Sequence, residues 1–169
     1  MKAIYPGSFY PFHFGHLDIA QRAAKIFDKV TILIAQNSTK GFRSATDVEI
    51  QKKAIQDSLI ACGAAENIDV VGSFTVTAIF AKINNYDYIV RGVRGGYDLE
   101  YEFNVMTGNR IINPDLETVI LPPSPQYAQL SSSLVRELWK CNLDKEVMTQ
   151  LVPIPIYSWM WKLREEGKF

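Results

Sequence analysis

The sequence predicts an α/β fold: a single domain on one open, parallel, five-stranded sheet with helices on both faces. Three observations predict it. Short strand-like apolar segments alternate with helical apolar periods along the whole chain, the pattern that βαβ units produce. Val30–Ala35 is a nearly continuous β-branched run, as expected of a parallel strand covered on both sides. The residues able to carry chemistry collect in segments that follow strands, where an open parallel sheet of this Rossmann-like kind binds its ligands. With 169 residues and 47% apolar content, the chain has the size of one domain with a full core, 1–169, closing in a helical segment at 143–169.

Taken in order, Ala3, Ile4 and Tyr5 form a first strand that stops at Pro6-Gly7. Leu17, Ala20, Ala24 and Phe27 then recur at helical spacing, with Arg22 and Lys25 on the opposite side. After the Val30–Ala35 strand, a polar loop from Gln36 to Ala45 carries Lys40 and Arg43, and Thr46–Glu49 reads as a capping box. The core face of the helix it opens is Val48, Ile55, Leu59 and Cys62. Asn67–Val71 is the third strand, Val76–Ile83 a helix ending near Asn84-Asn85, and Tyr88–Val90 the fourth strand. Beyond Arg91–Gly96 comes a helix with Leu99, Phe103 and Met106 as its apolar face. Val119–Leu121 is the fifth strand, Pro122–Leu130 a proline-rich loop, and Ser131–Ser133 cap a helix through Trp139. In the tail, Trp159 and Leu163 lie one helical turn apart, as do Tyr157 and Trp161, which predicts a packed C-terminal helix.

Eighteen basic residues balance eighteen acidic ones, so the chain lacks the electrostatic footprint of a nucleic-acid binder. The start MKAIYPG has no apolar signal-type region, and no stretch is long enough to cross a bilayer. A soluble cytoplasmic protein with neither nucleic acid nor membrane as partner is expected. Cys62 and Cys141 are far apart and lack metal spacing, which predicts free, buried thiols.

Both histidines of the chain, His13 and His16, fall in the loop between the first strand and the first helix. Imidazole is the side chain suited to carry a proton or partial positive charge near neutral pH. Gly15 permits close approach to a ligand, and the following helix offers unpaired N–H groups that favour an anion. Lys40 follows the second strand, Arg91 and Arg94 the fourth, and the serine triplet the fifth, while the third supplies only Thr75 and Thr77. Such a set predicts a positively charged pocket for several phosphates. There is no G-x-S-x-G elbow, no Walker A sequence and no carboxylate pair, so covalent and hydrolytic mechanisms lack parts. Nucleotidyl transfer needs none of these, because it depends mostly on alignment and charge neutralisation.

His13-Phe14-Gly15-His16 resembles the HxGH signature of the nucleotidyltransferase superfamily. Over about Met1 to Leu138 the chain resembles the bacterial phosphopantetheine adenylyltransferases. The likeness runs through YPGSF, Gly15-His16, Asn37–Lys40, IVRGVR at 89–94, DLEYE at 98–102, Asn109-Arg110 and LSSSLVREL at 130–138. The resemblance implies the nucleotidyltransferase fold and transfer of AMP from ATP to 4′-phosphopantetheine, giving dephospho-CoA and pyrophosphate. It further implies direct in-line attack with Mg2+, a homohexamer, and feedback binding of CoA, and it names no metal ligands. Position by position, it implies ATP contacts for Ser8, Phe9, His16, Gly92, Val93, Arg94 and Glu102. The same role falls to the segment Tyr127, Ala128, Gln129 and Leu130 with Ser131, Ser132 and Ser133. His16, Lys40 and Arg91 would be catalytic, and Ser8, Lys40, Thr77 and Arg91 would hold the acceptor.

The sequence departs from that family at several points. Tyr10 stands where the family has aspartate, His13-Phe14 where it has a polar pair, and Thr77 where it has an aliphatic residue; an arginine usual near Glu49 is absent. For His13, a phosphate contact and a structural role both remain open. Two other functions fit the same loop: an adenylyltransferase acting on nicotinate mononucleotide, and a nucleotide binder without turnover.

Overall fold

The computed structural model describes residues 1–35 and 44–169. Five strands, β1 (Lys2–Gly7), β2 (Lys29–Ala35), β3 (Ile68–Ser73), β4 (Tyr88–Gly92) and β5 (Glu117–Leu121), form one parallel sheet in the order β3-β2-β1-β4-β5. The helices are α1 (Phe14–Ala23), α2 (Ala45–Ala61), α3 (Thr77–Ile83), α4 (Gly96–Ile112), α5 (Ser132–Lys140), α6 (Lys145–Met148) and α7 (Ile154–Glu165), with a 3-10 turn at Pro125–Tyr127. The expected sheet is therefore present. Strand order runs outward from β1 in both directions, so the crevice between the carboxyl ends of β1 and β4 is the switch point where such sheets bind ligands.

Alternation along the central strands divides the core. Ala3 and Tyr5 of β1 join Ile32 and Ile34 of β2 under Leu17 and Ala20 of α1 and Val48 and Ile55 of α2. Val135 and Trp139 of α5 and Ile156 and Met160 of α7 complete the same cluster. Ile4, Leu33 and Ile89 point the other way, against Ala78 and Ala81 of α3 and Leu116. Helices thus cover both faces, but unequally.

Several local expectations shift. The first helix begins at Phe14, ahead of Leu17, because His13 caps it with its ring. The box at α2 is Ser44 with Asp47, not Thr46 with Glu49: the Asp47 N–H donates to Ser44 Oγ at 3.1 Å, and the Ser44 N–H donates back to Asp47 Oδ2 at 3.3 Å. Arg91 and Gly92 lie within β4 and not beyond it. On α4, Phe103 is 53% exposed and so is not a core contact of this chain. Both cysteines are free, as expected, yet Cys141 is exposed and Cys62 half-buried, since each caps a helix end at the surface. In the tail, Trp159 and Leu163 are buried and Tyr157 stacks on Trp161, matching the predicted helix. Among the described residues, no helix is long and apolar enough to cross a membrane.

Candidate active site

A cleft of about 310 Å³ opens over the carboxyl ends of β1 and β4. Of the sequence-predicted residues, Ser8, Phe9, His16, Arg91, Gly92, Arg94, Glu102, Tyr127, Leu130, Ser131, Ser132 and Ser133 line it. Val93, Ala128, Gln129 and Thr77 are not among its lining residues, and Lys40 lies outside the described residues. Thr77 opens α3 after β3, two strands away from β1 at the sheet edge.

The loop from Pro6 to Pro11 is held through its carbonyls. The Pro6 carbonyl accepts from Arg91 Nη1 at 2.6 Å, those of Ser8 and Phe9 from Gln51 Nε2 at 3.0 and 2.6 Å, that of Tyr10 from Arg136 Nη1 at 2.6 Å, and that of Pro11 from Ser132 Oγ at 2.9 Å. Donors from β4, α2 and α5 thus fix one short segment. Within it Phe9 adopts a left-handed φ of 47°, a region that costs a non-glycine residue about 1–3 kcal/mol. Its ring is buried, set edge-on to Tyr5 and His16. Gly7 is needed here, since a Cβ would come within 2.9 Å of the Phe9 ring.

The two histidines form a reciprocal cap. His13 Nδ1 accepts from the His16 N–H at 3.3 Å, His16 Nδ1 accepts from the His13 N–H at 3.2 Å, and the rings stack at 3.6 Å. Burial, with the nearby Arg94 charge adding to it, lowers the His13 pKa from 6.5 to about 3, so His13 stays neutral in the fold. Because its Nδ1 is an acceptor, neutral His16 carries its proton on Nε2. Gly15 keeps room for this stack: a Cβ there would sit 3.1 Å from the His13 ring.

The arginines do not make the cleft positive by themselves. Arg91 donates from Nε and Nη2 to both oxygens of buried Glu102, with Nε to Oε2 at 2.7 Å. Burial pulls the Arg91 pKa down, but its hydrogen bonds to Glu102 and that carboxylate's charge outweigh burial and hold the pKa up. Arg94 forks onto Asp98 at 2.9 and 3.2 Å and adds its backbone N–H. Burial raises the Asp98 pKa, yet the Arg94 hydrogen bonds and charge leave it lowered. Two cations and two anions cancel among the described lining residues, so the expected positive charge is not found there. What the described lining offers an anion is the start of α5 and the His16 ring, since the Phe14 and His16 amides at the start of α1 already donate to the Leu151 carbonyl and to His13.

Of the serine triplet, Ser131 caps α5 by accepting the Leu134 N–H at 3.1 Å, and Ser133 Oγ accepts from Arg136 Nη2 at 3.0 Å. The opposite wall is pinned to α1: the Ser124 N–H and hydroxyl donate to Asp18 at 2.9 and 2.6 Å, and Arg22 bonds the Pro122 carbonyl. This sets Tyr127 against Phe14 in a stacked arrangement. Tyr10 belongs elsewhere. Its ring meets Trp159 and Phe169, and its hydroxyl donates to the Lys168 carbonyl at 3.2 Å, so it ties the loop to the C-terminal helix.

Sequence reasoning missed Gln51, Arg136, Asp18 and Asp98 as parts of the site. Gln51 carried a readable signal as a polar residue on the Val48–Ile55 apolar stripe, and Asp98 and Arg136 lay inside the DLEYE and LSSSLVREL motifs without a role being read from them.

The cytidylyltransferase-like family model matches residues 4–138. A phosphopantetheine adenylyltransferase of Vesicomyosocius okutanii is 40% identical over 138 residues, covering 80% of this chain and 83% of that protein. Another, of Stenotrophomonas maltophilia, is 36% identical over 163 residues, covering 96% and 92%. Among solved structures, a Plasmodium falciparum nicotinic acid mononucleotide adenylyltransferase complexed with NaAD superposes with a TM-score of 0.67 at 15% identity, over 96% of this chain and 95% of that one. That likeness speaks for the fold.

Proposed function

The chain belongs to the cytidylyltransferase-like family and, within it, to the phosphopantetheine adenylyltransferases, and from that premise we propose that it transfers the adenylyl group of ATP to 4′-phosphopantetheine, giving dephospho-CoA and pyrophosphate. The observation that carries the proposal is the convergence of the His16 ring, the loop carrying Ser8 and Phe9, Arg91, Arg94 and the start of α5 on one cleft at the switch point.

In this mechanism an oxygen of the acceptor phosphate attacks the α-phosphorus of ATP in line. The bond from that phosphorus to the oxygen bridging to the β-phosphorus breaks, and pyrophosphate leaves. The second pKa of a phosphate monoester is about 6, so the nucleophile is already anionic near pH 7 and needs no enzyme base. No covalent enzyme intermediate is required. His16 donates from Nε2 to an α-phosphate oxygen and stabilises the charge that builds there, acting as a preorganised donor. Ser8, Lys40 and Arg91 hold the acceptor phosphate. Among the described residues, three of the five Arg91 N–H groups serve Glu102 and Pro6, which leaves one on each terminal nitrogen for a phosphate. Glu102 acts by fixing Arg91. Gly92, Val93 and Arg94 with the Tyr127–Ser133 segment receive the nucleotide, and a contact from Thr77 would need the pantetheine arm to extend past the cleft toward α3.

Magnesium enters this reading with the ATP phosphates. Among the described residues no group of three His, Cys, Asp or Glu side chains could hold a metal, and both cleft carboxylates are committed to arginines. The described residues therefore do not form a metal cage. Product-like CoA, which shares the adenine and the pantetheine arm, would compete for the cleft as a feedback ligand. Self-association, as a hexamer, is supported by apolar residues exposed on α3 and α4, among them Ile83, Tyr101, Phe103 and Ile111.

The test is pyrophosphate release from ATP and magnesium with each of two acceptors. Release with 4′-phosphopantetheine alone is the expected result. Release only with nicotinate mononucleotide, or with neither, would overturn the proposal.

A further inference from the structure

Gln51 is a polar side chain in an apolar position. It is fully buried on the core face of α2, between Val48 and Ile55. A buried carboxamide destabilises a core unless its hydrogen bonds are made, and here the amide nitrogen donates to two successive carbonyls, Ser8 at 3.0 Å and Phe9 at 2.6 Å. In a trans peptide the N–H points opposite to the C=O. Drawing the Ser8 and Phe9 carbonyls toward α2 therefore turns the N–H groups of Phe9 and Tyr10 away from it. Ser8 and Phe9 line the cleft, and no described α2 residue does. A left-handed residue such as Phe9 is one half of the αR–αL pair that lets neighbouring amides converge on an anion.

We propose that Gln51 is a positioning residue for phosphate binding, holding the Ser8–Phe9 segment in the strained conformation that presents its amides to the nucleotide. It touches no substrate and acts through the loop. The inference deepens the proposed function, on which its turnover readout rests, while its affinity readout does not.

The test uses the full chain with Q51M, a side chain of similar volume without donors, and Q51E. ATP affinity is measured by titration calorimetry with magnesium, and pyrophosphate release in parallel. For Q51M the expected result is a circular-dichroism spectrum like the parent's, with ATP bound about tenfold more weakly and kcat lowered at least as much. For Q51E, an ionised carboxylate offers no donor, but its protonated form offers one, and burial raises its pKa. Its ATP affinity relative to the parent should therefore rise severalfold from pH 8 to pH 6. A dissociation constant for folded Q51M within twofold of the parent, or a pH-independent Q51E ratio, would overturn the proposal. If the parent binds ATP but releases no pyrophosphate with 4′-phosphopantetheine, the functional reading fails, and the affinity arm still decides Gln51.

Discussion

The two faces of the sheet are built to different standards. On one, α1, α2, α5 and α7 bury Tyr5, Ile32 and Ile34 beneath a continuous apolar cluster, and the cleft-lining loop at 6–11 is laid over its upper edge. On the other, α3 covers Ile4, Leu33 and Ile89 with two alanines, while Ile111 on α4 is 79% exposed. The first face sets a continuous buried cluster beneath the site, although Ile60 on α2 and Ile154 on α7 are exposed at 79% and 60%. The second has apolar surface to spare, which fits a face that meets another copy. Preorganisation of the site and self-association of the chain can therefore be tested by separate substitutions.

The largest effect on folding is expected from the first face. Ile55→Ala should cost about 2–5 kcal/mol in urea unfolding, because a fully buried branched side chain leaves a cavity. His16→Ala should leave the fold intact and ATP affinity within a modest factor, yet lower kcat by about a hundredfold or more in the pyrophosphate assay. Unchanged turnover would remove His16 from the mechanism.

The buried histidine gives a pH signature of the same face. His13 has a folded pKa of about 3 against an ordinary 6.5, so the unfolded chain binds the proton more readily. Its contribution is fully present above about pH 6.5 and is lost as pH falls toward 3, at up to about 1.4 kcal/mol per pH unit. His13→Asn, which retains a capping side chain, should flatten that part of the slope between pH 7 and 5 in urea titrations. An unchanged slope would place the acid sensitivity elsewhere.

The smallest effect on protomer stability is expected on the second face. Ile111→Glu with Phe103→Lys should shift unfolding by no more than about 0.5 kcal/mol per site, as surface changes usually do, while lowering the mass found by sedimentation. A stable oligomer in that variant would break the contrast between the faces.

The strand and helix order was legible because each element carries its own period, and most cleft residues were legible because they follow strands. What stayed hidden is pairwise and long-range. Nothing near Arg91 in the sequence says that Glu102, eleven positions on, will neutralise it across the start of α4. Tyr10, read as a departure inside the active loop, turns toward Trp159 and Phe169 because an apolar tail lies within its reach. His13 admitted two readings from spacing alone; its cap hydrogen bond and burial favour the structural one. The thin cover over the second face was equally invisible, since Phe103 has the same period whether a helix meets its own sheet or another chain.

The most direct measurement uses ATP of one configuration in the α-phosphorothioate, incubated with magnesium, 4′-phosphopantetheine and this protein, with the configuration at phosphorus determined in the product. The account expects thio-substituted dephospho-CoA with inverted configuration, the outcome of a single in-line displacement in the cleft. Retention, or no adenylylated product, would contradict it.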